Sequence, residues 1–395
     1  MSETGGTSAN QHTERDSLLM QRARTVALAA RRRTAPNPWV GCVLTDSAGS
    51  VIAEGATEPP GSRHAEAVAL QAAVTHGADR ARGGTAYVTL EPCSHHGRTP
   101  PCADALIDAG VTRVVVAVED PDPDVAGQGI ARLRAAGVDV TVGLHAAEIR
   151  TDLAPYLLHR TQGRAFTVVK AAMSLDARIT ARDGSSQWIT SPQARADGHE
   201  LRADSQAVMV GAGTAIADRP SLTVRDLADP ATRPAQPPLR VVLDGRGRVP
   251  ADGPLFATVE APTLVVTSPA APEAAHHAWL AAGAKVLTVP PGPDGTGVDL
   301  AATLETLAGF GVLQVLVEGG STLTAALVRA GLADRVVAYV APTLLGRDGR
   351  PAFDVDGPAT IDAAQRWDLV DVRRLGADVR IDYLPTRPAT PGERA

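Results

Sequence analysis

The chain has 395 residues, which at about 100 to 200 residues per domain predicts two domains. Its formal net charge of -6 argues against a broad basic surface, so we expect no nucleic-acid partner. Neither an N-terminal apolar run nor a window of about 18 apolar residues is present, so we predict a cytoplasmic protein without a signal peptide or a membrane partner.

The N-terminal half alternates strands with helices. Residues 1–16 are polar and acidic and are predicted to be disordered. The alternation that follows indicates an α/β domain over 17–162. Strands are predicted at 40–44, 86–90, 111–118 and 138–142, and helices at 17–33, 65–76 and 103–109.

A second alternation begins at Phe166 and indicates another α/β domain over 163–384, followed by a disordered tail at 385–395. The two halves share no repeat, so we expect two different domains, in a monomer or a homo-oligomer. Strands are predicted at 166–170, 207–210, 240–244, 263–267, 285–289, 312–317 and 335–341, and a helix at 323–330.

Three cysteines are too few for a disulfide framework and favour metal binding. His64, Cys93 and Cys102 would supply three zinc ligands and leave a fourth position open for a water molecule. Glu66, two residues after the histidine, would remain outside the ligand set and carry protons. This His-x-Glu and Pro-Cys pattern is typical of zinc-dependent nucleobase deaminases. We also expect His64 and Cys102 at helix N-termini.

Other interpretations of the same residues remain open at this point. His95 or His96 could complete a closed Cys2His2 site, which would make this half a zinc-stapled binding module. A nucleoside or tRNA deaminase with an appended domain is a further alternative, although it predicts a basic face and a short Cys-x-x-Cys. Cys42 is interpreted as a small buried residue.

The segment 91–102 reads EPCSHHGRTPPC, with eight residues between its two cysteines. It closely resembles the deaminase half of the bifunctional riboflavin-biosynthesis deaminase/reductase family. The resemblance implies a cytidine-deaminase-like three-layer α/β fold for this domain. It also implies that Asn37 contacts the pyrimidine and that His95 and Arg98 lie near the ribose phosphate.

The segments KAAMSLDAR at 170–178 and SQWITS at 186–191 resemble the opening of the same family's reductase domain, which is similar to dihydrofolate reductase. Relatives usually have glycine where Ala177 stands, so the resemblance predicts a tight turn there. A glycine pair at 319–320 separates a predicted strand from a predicted helix. Such a turn fits a pyrophosphate at a helix N-terminus, although the spacing alone also fits a plain turn.

The resemblance implies zinc-dependent deamination of 2,5-diamino-6-ribosylamino-4(3H)-pyrimidinone 5′-phosphate, followed by NADPH-dependent reduction of the ribosyl group to ribityl. Its partners would therefore be small phosphorylated pyrimidines. No residue of the second half stands out as a general acid. The implied NADPH contacts are Ala172, Trp188, Thr214, Asp218, Gly245, Gly320, Ser321, Thr322, Leu323, Thr324, Ala325 and Ala326. The implied substrate contacts of the reductase are Ser186, Arg202, Leu222, Arg225 and Glu318.

Overall fold

A computed structural model describes residues 13–75, 77, 79–94, 100–123 and 125–386. The chain divides into an N-terminal unit, Met1–Gln162, and a C-terminal unit, Gly163–Ala395. Among the described residues, none of the helices combines the length and the apolar character needed to span a bilayer.

The N-terminal unit contains one five-stranded sheet in the order β2-β1-β3-β4-β5. Strand β1 is antiparallel to both of its neighbours, whereas β3, β4 and β5 run parallel. The strands are β1 (Gly41–Thr45), β2 (Val51–Ala56), β3 (Thr85–Leu90), β4 (Arg113–Val118) and β5 (Asp139–Val142). The helices are α1 (Glu14–Thr34), α2 (Ala65–Val74), α3 (Cys102–Asp108), α4 (Gln128–Ala135), α5 (Ala146–Asp152) and α6 (Ala154–Gln162).

Two glycines show how helices cover both faces of this sheet. A Cβ on Gly41 would lie 2.0 Å from the carbonyl oxygen of Ala23 in α1. A Cβ on Gly55 would lie 2.2 Å from the carbonyl oxygen of Ala65 in α2. Gly55 pairs with Cys42, the residue after Gly41, so the two glycines face opposite sides of the sheet. Helices α1 and α2 therefore form the outer layers of an α/β/α sandwich, as predicted.

Helix α1 begins earlier than the sequence predicted, because residues 14–16 are helical rather than disordered. The Thr13 side chain accepts a hydrogen bond from the Asp16 backbone N–H, and the Asp16 carboxylate accepts one from the Thr13 N–H. Asp16 is buried and also bonds Arg113 at 2.8 Å and Tyr87 at 2.6 Å. The acidic residues here suggested a solvated terminus, but the Asp16 carboxylate instead caps the helix.

The C-terminal unit contains a nine-stranded sheet in the order β10-β9-β8-β7-β11-β6-β12-β14-β13. All neighbours from β10 to β12 run parallel, whereas β14 and β13 are antiparallel. The strands are β6 (Phe166–Ser174), β7 (Ala207–Gly211), β8 (Leu239–Leu243), β9 (Thr263–Thr267), β10 (Lys285–Thr288), β11 (Gln314–Val317), β12 (Arg335–Ala341), β13 (Trp367–Leu375) and β14 (Asp378–Pro385). The helices are α7 (Pro192–Ala203), α8 (Ala212–Asp218), α9 (Glu273–Ala281), α10 (Leu300–Gly309) and α11 (Ser321–Arg329).

The central strands of this sheet are mostly apolar. Val315, Leu316 and Val317 of β11 are fully buried, as expected for a parallel strand that helices cover on both faces. Because β7, β8 and β11 run parallel, their carboxyl ends lie along one edge of the sheet. Helix α8 begins directly after β7, and α11 begins a short turn after β11. The N-termini of both helices therefore lie at this edge.

The turn after β6 contains Ala177, at the position where relatives usually have glycine. Ala177 adopts a φ of +56°, in the left-handed region, and its carbonyl oxygen accepts a hydrogen bond from Ala352 N–H at 2.9 Å. A non-glycine residue in this conformation costs about 1 kcal/mol. The turn predicted at Ala177 is therefore present, and the alanine tolerates it.

Candidate active sites

His64, Cys93 and Cys102 lie together in the N-terminal unit. Their ligand atoms lie within 4.8 Å of one another, and the Nδ1 atom of His64 is 3.5 Å from the Cys93 Sγ and 3.4 Å from the Cys102 Sγ. His64 is the N-cap of α2 and Cys102 is the first residue of α3, which confirms the predicted placement at helix N-termini. One imidazole nitrogen and two sulfurs form the ligand set of a catalytic zinc site with an open position.

The electrostatics of this group favour metal binding. Hydrogen bonds from Cys102 and His64 lower the pKa of Cys93 well below its usual value, which favours the thiolate that binds a metal. Glu66 lies in the first turn of α2 and is only 3% exposed. Burial, together with the Cys93 charge, raises the pKa of Glu66 to about 7. Glu66 can therefore both accept and release a proton near neutral pH.

A buried carboxylate holds the cysteine-bearing segment in place. Glu91 follows β3 and accepts hydrogen bonds from the backbone N–H groups of Gly127 at 3.0 Å, Gly129 at 2.9 Å and Ile130 at 3.1 Å. A Cβ on Gly129 would lie 1.8 Å from the carbonyl oxygen of Pro92, so only glycine fits there. The sequence alone did not predict this role of Glu91, because its partners Gly127, Gly129 and Ile130 lie 36 to 39 residues further along the chain.

Other predicted residues of this unit have different outcomes. Cys42 is completely buried in β1 and lies outside the ligand group, which confirms its interpretation as a small core residue. Asn37 lies in the turn after α1, where its N–H bonds the Thr34 carbonyl at 2.8 Å. His95, His96 and Arg98 lie outside the described residues.

The C-terminal unit contains a cavity of about 1640 Å³ at the edge where α8 and α11 begin. All the residues predicted to bind NADPH or the reductase substrate line this cavity except Ala325, which is fully buried in the core. Ser186 and Asp218 approach each other at 3.5 Å. Trp188 is 66% exposed, and the Arg195 guanidinium lies 4.5 Å from the centre of its ring.

The middle of the cavity suits a pyrophosphate. Gly320 is the N-cap of α11 and Gly211 is the N-cap of α8, and neither helix has a side-chain cap. The first backbone N–H groups of a helix have no partner within the helix and attract anions. A Cβ on Gly320 would lie 3.6 Å from the Thr214 hydroxyl of α8, so the two helix ends are close. These residues fit the phosphates of a dinucleotide.

A charged cluster lies at one end of the cavity. The Arg202 guanidinium donates to the two carboxylate oxygens of Glu318 at 2.5 and 3.0 Å, and the Lys170 Nζ is 3.5 Å from the same carboxylate. Burial alone would raise the pKa of Glu318, but the charges of Arg202 and Lys170 hold that pKa well below its usual range. Arg202 therefore binds a protein carboxylate, and its implied contact with the substrate stays a prediction.

The second predicted arginine, Arg225, lies in a different environment. Its side chain is 53% exposed, and its guanidinium bonds the Ser221 hydroxyl at 3.2 Å and approaches Asp226 at 3.7 Å. The Arg225 backbone N–H donates to Nδ1 of His199 at 3.3 Å. Burial and the nearby charges of Arg202 and Arg225 lower the pKa of His199 to about 4. The neutral imidazole is therefore the acceptor that holds this loop.

Lys170 and His199 both line the cavity, although neither was predicted from the sequence to have a role. A lysine within an otherwise apolar strand was the signal for Lys170. For His199, which lies in α7 beside charged residues, no comparable signal exists.

Comparison with known proteins gives the family. The model of the RibD C-terminal domain matches residues 165–381, and the model of the cytidine and deoxycytidylate deaminase zinc-binding region matches residues 13–118. The riboflavin biosynthesis protein RibD of Chlamydia pneumoniae is 42% identical over 93% of this chain and 95% of its own length. This chain belongs to the RibD family.

Further RibD proteins match over nearly their whole length. The protein of Escherichia coli K12 is 40% identical, with 92% of this chain and 98% of its own covered. A solved structure of RibD from Acinetobacter baumannii is 38% identical, with a TM-score of 0.83 and coverage of 95% and 99%. A solved deaminase/reductase from Thermotoga maritima is 30% identical, with a TM-score of 0.81 and coverage of 95% and 100%.

As a RibD protein, the chain is a bifunctional enzyme of riboflavin biosynthesis, with a zinc-binding deaminase domain and an NADPH-dependent reductase domain. Both fold predictions, cytidine-deaminase-like and dihydrofolate-reductase-like, are confirmed.

Proposed function

We propose that the N-terminal unit deaminates 2,5-diamino-6-ribosylamino-4(3H)-pyrimidinone 5′-phosphate. The C-terminal unit then reduces the ribosyl group of 5-amino-6-(5-phosphoribosylamino)uracil to ribityl. The main support is that one chain combines the His64, Cys93 and Cys102 group beside buried Glu66 with a dinucleotide-sized cavity. The similar Thermotoga maritima protein is named for these two activities.

For deamination, His64, Cys93 and Cys102 would hold zinc, which would supply a bound water of lowered pKa. Glu66 lies outside the ligand set and titrates near neutral pH. It takes the proton released when the water attacks the pyrimidine and gives it to the departing amino group. Burial of Glu66 excludes bulk water from this transfer.

For reduction, the N-termini of α8 and α11 would hold the NADPH pyrophosphate, and NADPH would supply the hydride. Glu318 stays ionised between Arg202 and Lys170, so it can accept hydrogen bonds from sugar hydroxyls. The Lys170 ammonium, 21% exposed beside the cavity, can donate a proton to a sugar oxygen. Arg225 is the candidate that binds the substrate phosphate.

We also propose a cytoplasmic location, as the sequence predicted. Cys93 and Cys102 are free thiols that must stay reduced to bind zinc, and the cytoplasm maintains thiols in this state.

Removal of zinc by a chelator should abolish ammonia release from the diaminopyrimidine substrate. NADPH oxidation with the uracil substrate should continue at its original rate, because every residue that lines the reductase cavity lies in the C-terminal unit. Metal content, ammonia release and NADPH absorbance measured on one sample test this division. Re-added zinc should restore deamination, and a zinc requirement for reduction would contradict the proposal.

Arg225→Ala should lower reductase kcat/KM by roughly 10- to 100-fold, mainly through KM, because one charge-assisted contact to phosphate is lost. Arg225→Lys should recover only part of the loss, since lysine lacks the planar fork. Arg233→Ala is the matched control, because Arg233 is also exposed but does not line the cavity. Equal kinetics for the Arg225 and Arg233 variants would remove Arg225 from the phosphate site.

A further inference from the structure

Two arginines follow strand β8, at the far end of the reductase cavity from the charged cluster. The sheet order β8-β7-β11-β6 places four parallel strands side by side across the cavity. Lys170 belongs to β6 and Glu318 follows β11, whereas Gly245 and Arg248 follow β8. Neighbouring strands are about 4.8 Å apart, so the loop after β8 lies about 10 Å from the end of β11.

The direction of a bound dinucleotide follows from this order. The pyrophosphate would lie at the N-termini of α11 and α8, after β11 and β7. The reacting nicotinamide must lie where the sugar is held, beside Lys170 and Glu318. The adenosine half therefore extends the other way, past β7 towards the loop after β8.

The loop after β8 has a defined shape. The buried Asp244 carboxylate accepts hydrogen bonds from the backbone N–H groups of Val249 at 2.6 Å and Arg246 at 3.3 Å. Gly245 packs so closely against Gly297 that an added Cβ would lie 2.3 Å from the Gly297 carbonyl oxygen. These contacts fix the backbone from which the side chains of Arg246 and Arg248 extend.

Only one of these two exposed arginines reaches the cavity, because Arg248 lines it and Arg246 does not. Within the described part of the chain, neither guanidinium forms an ion pair. The other charged residues that line this end are Arg329, Asp294 and Asp299.

Each of those three already has a polar contact. Arg329 donates to the Asp354 carbonyl at 3.4 Å, and Asp294 accepts from the Thr296 backbone at 2.9 Å and from its hydroxyl at 2.8 Å. Asp299 caps α10 through the Ala302 N–H at 3.0 Å. Of the two arginines that line this end, Arg248 is thus the one whose guanidinium has no polar partner among the described residues.

We propose that Arg248 binds the 2′-phosphate of NADPH and thereby selects NADPH over NADH. This inference rests on the proposed function, in which the cavity is the NADPH site. The two dinucleotides differ only in this phosphate, which lies on the adenosine ribose. A guanidinium forms paired, charge-assisted hydrogen bonds with phosphate oxygens, and NADH offers it no such partner.

Calorimetric titration of the full-length protein with NADP⁺ and with NAD⁺ tests the proposal independently of catalysis. Arg248→Ala should weaken NADP⁺ binding by roughly 10- to 100-fold and leave NAD⁺ binding unchanged. Arg248→Lys should recover part of the NADP⁺ affinity. Arg246→Ala is the matched control, two residues away on the same loop, and should change neither affinity.

The possible failures can be told apart. An Arg248→Ala protein that loses affinity for both dinucleotides equally, or for neither, would overturn the assignment of Arg248. An equal loss of NADP⁺ affinity in Arg246→Ala would overturn it as well, because general loop charge would then explain the effect. A wild-type protein that binds neither dinucleotide would instead overturn the proposed cofactor site, and the Arg248 proposal with it.

Discussion

Glu66→Gln should reduce deamination by several orders of magnitude while the protein keeps its zinc. The amide preserves the size of the side chain and fits the same buried position in α2, but it cannot accept and return a proton. Because Glu66 lies outside the ligand group of His64, Cys93 and Cys102, metal affinity should survive. Ammonia release and zinc content, measured on the same preparation, are the two observables.

Two controls distinguish a lost proton transfer from a general loss of folding. NADPH-dependent reduction should be unchanged, since the reductase cavity belongs to the other unit. Glu148→Gln makes the same chemical change at an exposed position in α5 and should leave both activities intact. A Glu66→Gln protein that releases ammonia at close to the wild-type rate would show that another group carries the proton.

The zinc ligands and Glu66 could be predicted from the sequence because they lie in two short segments. His64 and Glu66 are two residues apart, and Cys93 and Cys102 lie within one segment of distinctive spacing. Each of these segments begins a helix or ends a strand, so local patterns place them well. The position of Glu91 depends on α4, which is distant in sequence, and no local pattern reveals that contact.

The reductase site shows where such prediction stops. Glu318 and Arg202 are 116 residues apart in sequence, and only the parallel pairing of β6, β7 and β11 brings α7 and the end of β11 to one edge. A resemblance can name both residues as substrate contacts, but it cannot show that they bond each other.

The hairpin of β13 and β14 was not predicted from the sequence, for a different reason. Strand β13 is mostly exposed, with charged residues such as Asp371 and Arg373 next to its valines, so it lacks the apolar run of a buried strand. Hydrogen bonding to β14 along nearly the whole length of β13 holds it in the strand conformation. Strands at a sheet edge carry the weakest sequence signal, because solvent permits polar residues there.

Arg202→Ala should have the largest effect on the reductase, because it removes the main partner of a buried carboxylate. The side chains of Arg202 and Glu318 are 13% and 11% exposed, so water cannot replace the lost hydrogen bonds. Removing one partner of a buried ion pair lowers the free energy of unfolding by about 3 to 5 kcal/mol. Lys170, 3.5 Å from Glu318, offsets part of this cost, so we expect the lower end of that range.

Reductase kcat/KM should also fall by more than about 100-fold in Arg202→Ala, since about 3 kcal/mol corresponds to that factor if the loss is felt in the transition state. Arg202→Lys should restore stability better than activity, because lysine supplies charge without donating to both oxygens of Glu318. Urea unfolding followed by tryptophan fluorescence reports on this unit, which contains Trp188, Trp279 and Trp367.

The comparison with Arg225→Ala separates the two arginines. Arg225 is half exposed and its carboxylate neighbour, Asp226, is exposed as well, so the Arg225 variant should lose reductase activity at unchanged unfolding free energy. Arg202→Ala should lose both, and deamination should be intact in each protein. If Arg202→Ala kept its full stability while its KM for substrate rose, the guanidinium would be acting on the substrate phosphate rather than on Glu318.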